Sequence, residues 1–153
     1  MRRGNDPTTA SMPVLPCACA NLRRAARAVT RLYNQALRPD GIEITQFTLL
    51  MALSRSRETS HGELAELLAL DSTTLTRVLS VARQRHWVQI RQGQDRRQRF
   101  VTLTATGREK LRQSMPRWTR AQEDLQKAVG RDAFSHLGGL LAVTAVTAVR
   151  SAG

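Results

Sequence analysis

The stretch from Ser60 to Leu103 constrains the fold of this 153-residue chain more than any other segment. Ser60 and Glu63 form the pattern Ser-x-x-Glu, a capping box that starts a helix. Asp71 is placed to cap a second short helix. Two short strands follow, joined by a polar, arginine-rich loop. Two short helices that meet at a tight corner, followed by a hairpin, predict a winged helix-turn-helix.

The second helix of this unit has one apolar face and one polar face without an acid. Its apolar residues recur at steps of three and four and are predicted to face the core: Leu75, Val78, Leu79 and Ala82. No Asp or Glu occurs between Ser72 and Gln84. A helix in the major groove of DNA needs short polar side chains and a long donor for a base edge. The residues predicted to contact DNA are Ser72, Thr73, Thr74, Thr76, Arg77 and Ser80, with Arg77 as the long donor.

The loop between the strands is predicted to enter the minor groove. The strands cover residues 87–90 and 99–103, and every residue from 92 to 98 is polar or Gly. The narrow minor groove concentrates negative potential and therefore favours arginine. The predicted contacts of this hairpin are Arg96, Arg97 and Arg99. Asp95 is expected to brace one of these arginines, because phosphate would repel its carboxylate.

The net charge of the chain favours double-stranded DNA over a membrane surface as its partner. Lys and Arg number 24 against 12 Asp and Glu, a formal charge of +12 with a pI near 11.6. Lys110 and Lys127 are the only lysines, so most of the charge is arginine, whose planar fork suits phosphate oxygens and guanine edges. GC-rich coding also enriches arginine, and it is the alternative explanation of the total charge. It explains the clustering between residues 83 and 99 less well.

The sequence predicts a cytoplasmic protein that makes no contact with a membrane. No segment approaches the ~20 consecutive apolar residues of a membrane span. The amino-terminal residues include two arginines but lack the apolar run of a signal peptide. Pro7, Pro13 and Pro16 disfavour a helix, so residues 1–16 are predicted to form a flexible tail. Two cysteines in a reducing compartment do not make a structural disulfide framework.

Helices are predicted on both sides of the winged unit, which covers residues 44–104. Residues 17–37 have apolar positions at helical spacing, and Thr45 is expected to cap the helix that follows. In the helix after Ser60, three leucines are expected to face inward: Leu64, Leu67 and Leu68. A long helix should begin at Thr104, include Pro116 and end at Gly130.

The last predicted helix, residues 132–150, points to a second subunit. It has no Lys, Arg, Asp or Glu from residue 133 to residue 149. A helix that is apolar on most sides is buried on most sides, and in so small a chain this requires a partner copy. The helices at 17–37 and 105–150 therefore predict a homodimer. The expected fold is mainly α with a small β-hairpin wing, in a single domain of residues 17–153.

Five short motifs in order along the chain resemble the MarR family, the multiple-antibiotic-resistance type of bacterial transcriptional regulators. They are Ile44–Leu50 (ITQFTLL), Gly62–Ala65 (GELA), Thr74–Leu79 (TLTRVL), Asp95–Arg97 (DRR) and Leu103–Gly107 (LTATG). The resemblance implies a homodimer with recognition helices in successive major grooves and wings in flanking minor grooves. It also implies a palindromic operator and repression relieved by a signal. The chain departs from the family at His86, where a glycine is frequent, and this substitution would strain the turn if the position needs a positive φ.

The nature of the signal is open at this point. Cys17 and Cys19 lie at the start of the first helix, where the helix terminus and nearby arginines favour a reactive thiolate. The resemblance places Cys19 near the reactive cysteine of the family's hydroperoxide sensors, although those surround the thiol with tyrosines and this chain has only Tyr33. Other interpretations are an intersubunit disulfide, a shared soft-metal site, or simple packing of small residues. A further candidate is a small aromatic or phenolic ligand in a crevice lined by Phe47, Met115 and Trp118.

Other classes of function fit the sequence less well. It has no catalytic constellation, so we expect neither an enzyme nor a cofactor. A thiol oxidoreductase or metallochaperone built on Cys17-x-Cys19 would lack the usual C-x-x-C spacing. His61, His86 and His136 are scattered and lack the spacing of metal ligands, so no metal site is expected. The alternative that sequence separates poorly from a regulator is an architectural DNA-binding protein without an effector.

Overall fold

The computed structural model describes residues 13–95 and 98–152 and is mainly α with a small sheet, as predicted. The predicted tail of residues 1–16 lies mostly outside the described residues, as do Arg96 and Arg97 of the wing. The elements in chain order are α1 Ala18–Leu37, a 3-10 turn Arg38–Asp40, α2 Ile44–Ser54, β1 Thr59–Ser60, α3 His61–Leu68, α4 Ser72–Gln84, β2 Val88–Gln92, β3 Arg99–Leu103, α5 Ala105–Val129 and α6 Arg131–Ala152.

The sheet has three antiparallel strands, one more than the sequence predicted. β3 lies in the middle, with β1 on one side and β2 on the other. Thr59 pairs with Val101, and Val88 pairs with Leu103. β1 consists of only two residues, too few to show an alternating pattern in the sequence. This pairing holds the start of α3 beside the hairpin.

The core lies between α2, α4, α5 and the inner face of the sheet. All four predicted core residues of α4 are buried, and they pack in one cluster with residues of the other elements: Leu37, Phe47, Leu50, Leu53, Leu64, Trp87 and Val101. The capping box at Ser60 is confirmed, since the Ser60 amide donates to Glu63 Oε2 (2.8 Å) and the Glu63 amide donates to Ser60 Oγ (3.2 Å).

Two predictions about the smaller helices are wrong. The N-cap of α2 is Glu43, whose amide donates to the Gln46 side chain (3.1 Å), so Thr45 lies inside the first turn and caps nothing. The Ile44 amide is also satisfied, by the side chain of Asn34 in α1 (2.7 Å). Leu67 is 65% exposed, because the inward stripe of α3 runs through Leu64 and its i+4 neighbour, and the helix ends at residue 68.

Trp87, in the short segment between α4 and β2, makes a close backbone contact with the start of α5; this contact is called the junction below. Trp87 is buried, and its carbonyl oxygen accepts hydrogen bonds from both the amide and the hydroxyl of Thr104 (3.0 Å each). The Thr104 hydroxyl in turn accepts from the Gly107 amide (3.0 Å), which confirms Thr104 as the N-cap of α5. A Cβ atom on Gly107 would overlap the Trp87 carbonyl oxygen. The Leu-Thr-x-x-Gly sequence therefore permits a close approach of backbone to backbone.

Two cations on the Trp87 ring hold the turn between α1 and α2. The Arg85 guanidinium carbon lies 5.2 Å and Lys110 Nζ 5.9 Å from the indole centroid. Arg85 donates to the Gly41 carbonyl (2.9 Å), and Lys110 donates to the Asp40 carbonyl (3.0 Å). Gly41 has a φ of 65°, a left-handed conformation that suits glycine. These contacts connect the turn to α4 and α5.

His86 has a φ of 58°, so this position does adopt the left-handed conformation. It is the position at which the sequence has His in place of the glycine that is frequent in the family. A non-glycine residue there costs about 1–2 kcal/mol. The Thr104 hydroxyl has one proton, which it shares between the His86 carbonyl (2.6 Å) and the Trp87 carbonyl (3.0 Å), so the junction at Trp87 helps to hold the strained residue in place.

The long helix α5 includes Pro116 and ends at Gly130, as predicted. Along α5, Leu111 is buried, Met115 and Trp118 are partly buried, and Val129 is 43% exposed. α6 packs against α5 and presents several apolar side chains to solvent: Leu137, Leu140, Leu141, Val143 and Val146. Among the described residues, no helix is both long enough and apolar enough to span a membrane.

We predict that Gly107→Ala lowers the free energy of unfolding by about 1–3 kcal/mol, because the new methyl group must displace the Trp87 carbonyl. Chemical denaturation followed by circular dichroism measures the change. Gly62→Ala is the matched control, since a Cβ on this helical glycine meets no atom within 4 Å. Equal stability of Gly107→Ala and the unsubstituted protein would show that the junction is not tight.

Candidate nucleic-acid interface

The amino terminus of α4 is fixed by Asp71. One carboxylate oxygen accepts from the Thr74 amide (2.9 Å) and the other from the Thr74 hydroxyl (2.6 Å). These two bonds, the hydroxyl bond foremost, lower the pKa of Asp71. The carboxylate therefore stays charged at the positive end of the helix dipole. The Thr74 hydroxyl is committed to this cap, which limits the role predicted for it in DNA contact.

The polar face of α4 is open to solvent. Ser72, Thr73, Thr76 and Arg77 are exposed, and Thr74 and Ser80 are partly buried. The Thr76 hydroxyl donates to the Ser72 carbonyl (2.8 Å), which orients its lone pairs outward. Within the described residues, the Arg77 side chain makes no hydrogen bond or ion pair. The structure thus places the six predicted residues on one helix and leaves Arg77 available for a ligand.

The hairpin between β2 and β3 closes through backbone bonds. The Gly93 amide donates to the Gln98 carbonyl (2.8 Å), and the Gln98 amide donates to the Asp95 carbonyl (2.9 Å). A Cβ on Gly93 would lie 2.9 Å from the Phe100 ring and 3.0 Å from Gln98 Cβ, so the hairpin is narrow at this point. The predicted brace between Asp95 and an arginine of the loop involves residues outside the described part of the chain.

Arg91 on the hairpin is engaged by a pair that sequence reasoning missed. Its guanidinium binds the Glu58 carboxylate through two bonds (2.5 and 2.7 Å) and lies 4.7 Å from the Phe100 ring centroid. The bonds to Glu58 raise the pKa of Arg91. Glu58 and Arg91 are 33 residues apart, so no local sequence signal indicates this pair.

Other arginines away from the α4 face are also engaged. Arg117 pairs with Asp40 (3.0 Å) and Arg112 pairs with Glu109 (2.7 Å). The bond from Arg112, with a second from Gln113, lowers the pKa of Glu109 to about 2. By contrast, the side chains of Arg77, Arg83 and Arg99 have no hydrogen-bond or ion-pair partner among the described residues.

A cleft of about 800 Å³ separates α4 from β3 and opens at the start of α3. His61, Glu63, Ser72, Thr76 and Arg99 are among the residues that line it. It is continued along α4 by a smaller cavity of about 160 Å³, lined by His61, Thr76, Ser80, Arg83, Arg99 and the apolar floor of the lobe. Arg99 was predicted as a DNA contact, whereas His61 and Arg83 were not. Arg83 follows Thr76 and Ser80 at helical spacing, and this pattern could have identified it.

The candidate sensing residues lie at the start of α1. Cys17 is the N-cap of α1 and Cys19 lies in its first turn, and both thiols are free and exposed. Within one chain they are therefore not packed under an apolar cap, as one interpretation of the sequence required. Among the described residues, no three His, Cys, Asp or Glu side chains are grouped in a way that could hold a metal ion.

The predicted ligand crevice is filled by aromatic packing. Phe47 is fully buried and stacks on Trp118 at 5.6 Å between centroids, with 24° between the planes. Next to it, the Tyr33 hydroxyl hydrogen-bonds the Gln122 side chain and joins α1 to α5, and burial raises the pKa of Tyr33. An open groove of about 460 Å³ does lie between α1 and α5, bordered by Leu32, Gln35 and Arg120.

Comparison with known proteins gives relatives of one kind. No family model matches the chain. The transcriptional regulator MosR of M. tuberculosis, solved in complex with DNA, is 37% identical, with 84% of this chain and 98% of that chain covered and a TM-score of 0.70. A cysteine-to-serine variant of MarR from E. coli, solved with operator DNA, is 25% identical over 82% of this chain and 91% of that chain, with a TM-score of 0.73. YwoH of Bacillus subtilis, an uncharacterized HTH-type transcriptional regulator, is 28% identical over 119 residues, which are 76% of this chain and 87% of YwoH.

Proposed function

The chain belongs to the MarR family of DNA-binding transcriptional regulators, and on this basis we propose that it binds a palindromic operator as a homodimer and represses transcription until a signal releases it. The observation that carries the proposal is the exposed, acid-free face of α4 with Arg77 unpaired in the described part of the chain. Two such faces, related by a two-fold axis, would read two equivalent half-sites.

Arg77 is the proposed base reader. A guanidinium donates two parallel hydrogen bonds to O6 and N7 of guanine in the major groove. The residues around Arg77 on the same face are short, so the helix backbone approaches the base edges closely. Thr73, Thr76 and Ser80 supply hydroxyls at the rim, and Arg96 and Arg97 are the proposed minor-groove contacts of the wing, with Asp95 as their brace.

The proposed dimer interface is built by α1, α5 and α6. Leu140 and Val143 are each 65% exposed in the single chain, and Leu137, Leu141 and Val146 extend the same apolar surface. A contiguous apolar surface of this kind on a water-soluble chain is a site of protein association. A second copy of α6 is the proposed occupant, because the same apolar helix then covers itself symmetrically.

The proposed signal acts on the thiols of Cys17 and Cys19. Their exposure at the start of α1 supports reaction with an oxidant or a soft metal ion, since accessible thiols are the ones that react. A small phenolic ligand is the second candidate. The open groove between α1 and α5, rather than the filled space around Phe47 and Trp118, would be its place.

We predict that Arg77→Ala reduces discrimination at one base pair of each half-site by about 1–3 kcal/mol. The operator is first selected from random duplex DNA. Fluorescence anisotropy then measures the affinity of each protein for this operator and for its single-base variants. Arg38→Ala is the control, because Arg38 is exposed in the turn after α1 and is not part of the α4 face. If Arg77→Ala keeps the full order of preference among variants, Arg77 contacts only phosphate.

We predict that Leu140→Glu converts the dimer to a monomer, because it places a charge in the proposed apolar interface. Sedimentation velocity reports the change of mass. Leu67→Glu is matched in exposure, since both leucines are 65% exposed, and it lies in α3 and should leave the dimer intact. Dimers of unaltered stability in Leu140→Glu would place the interface elsewhere.

We predict that a hydroperoxide or a soft metal ion releases operator DNA from the unsubstituted protein and not from the double variant Cys17→Ser, Cys19→Ser. Release of a labelled operator is measured by fluorescence anisotropy after addition of a hydroperoxide, a soft metal ion or a phenolic acid, each in a separate experiment. A peroxide or metal response retained in the double variant would rule out the thiols. Release by none of the three would instead favour an architectural DNA-binding protein without these effectors.

A further inference from the structure

We propose that His61, Arg83 and Arg99 form a seat for one phosphate of the DNA strand that runs between the major and the minor groove, an inference that rests on the proposed operator binding. These three residues, called the phosphate seat below, belong to α3, α4 and β3. They line one cavity of about 160 Å³ between the recognition helix and the wing.

The geometry of a duplex requires a backbone strand at this place. The major and minor grooves alternate along DNA, and a single sugar–phosphate strand separates each pair of neighbouring grooves. When α4 enters the major groove and the hairpin reaches the adjacent minor groove, the strand between them must cross the cleft between α4 and β3. The cleft would thus hold the sugar–phosphate backbone of one DNA strand, and the bases would be contacted on either side of it, by α4 and by the hairpin.

The chemistry of the cavity suits an anion. Among the residues that line it, none is Asp or Glu. Within the described residues, Arg83 and Arg99 have no hydrogen-bond or ion-pair partner, so a phosphate would not have to displace a carboxylate from either. Guanidinium groups match phosphate oxygens with charge-assisted hydrogen bonds, which are stronger than neutral ones.

His61 completes the seat from the start of α3. Its Nε2 lies 3.5 Å from Thr76 Oγ, longer than the usual range for a hydrogen bond, so this nitrogen is weakly engaged in the free protein. The Thr76 hydroxyl already donates its proton to the Ser72 carbonyl (2.8 Å). With Nε2 protonated, the imidazole is therefore a polar group at this wall of the cavity that can donate to an incoming oxygen.

One carboxylate sets where along the cleft the phosphate lies. Glu63 lines the wider part of the cleft and is held in the capping box by the Ser60 amide (2.8 Å), a bond that lowers its pKa and keeps it charged. Its charge repels phosphate from that end. The phosphate therefore lies at the end of the cleft bordered by Arg83, which does not line the part near Glu63.

The test measures how salt and a neutral phosphate change operator affinity. The affinity falls as salt rises, so the slope of log affinity against log salt is negative. We expect Arg83→Gln and Arg99→Gln each to reduce the magnitude of this slope by up to about 0.9, the value for one phosphate contact in B-DNA. The order of preference among base variants should stay unchanged, unlike that of Arg77→Ala. Both arginines are exposed, so the variants should fold, and Arg38→Gln is the matched control with an unaltered slope, because Arg38 is exposed in the turn after α1.

A methylphosphonate scan then locates the phosphate. Operators with one uncharged phosphate at a time should show one position per half-site at which the unsubstituted protein loses about tenfold in affinity. Arg83→Gln should lose no further affinity when that one phosphate is neutralised, while it responds like the unsubstituted protein at every other position, and His61→Gln should reduce the effect at that phosphate. Equal sensitivity of Arg83→Gln and the unsubstituted protein at all positions would overturn the seat. If instead no operator can be selected at all, the proposed function fails and the seat with it.

Discussion

The fold depends on the close contact between the Trp87 carbonyl and the start of α5. The carbonyl oxygen accepts two bonds from Thr104, and the Trp87 amide donates to the Ala82 carbonyl at the end of the recognition helix (2.9 Å). Gly107 permits this approach, because any side chain would overlap the carbonyl. The backbone of one residue, Trp87, therefore connects α4, the hairpin and the long helix.

The arginines divide into those that hold the fold together and those left for a partner. Arg85 binds the Gly41 carbonyl in the turn between α1 and α2, Arg91 binds the Glu58 carboxylate, and each guanidinium lies over an aromatic ring. Arg77, Arg83 and Arg99 lack such partners in the described residues and lie on one side of the lobe. The net charge of +12 cannot make this distinction, since it counts both groups equally. The two groups differ in whether the fold places a carboxylate or a carbonyl oxygen beside the guanidinium.

Local signals in the sequence were reliable wherever one turn of chain contains the whole interaction. The capping residues Ser60, Asp71 and Thr104 were predicted from spacing alone, and the hydrogen bonds are present. The predictions for Thr45 and Leu67 were wrong because neighbouring elements decide these positions: Glu43 caps α2 two residues earlier than expected, and α3 is too short to bury a second face. Pairs such as Glu58–Arg91 have no local signal at all.

The sequence by itself determined the winged helix-turn-helix, the buried face of α4 and the place of Arg77 on the opposite, exposed face, because helical periodicity places these residues relative to one another without reference to the rest of the fold. Only the tertiary structure decided that His61, Arg83 and Arg99 line the same cavity. Their elements meet because β3 pairs with β1 directly before α3 and with β2 directly after α4. Strand pairing between distant segments depends on the whole core, so no spacing along the chain expresses it.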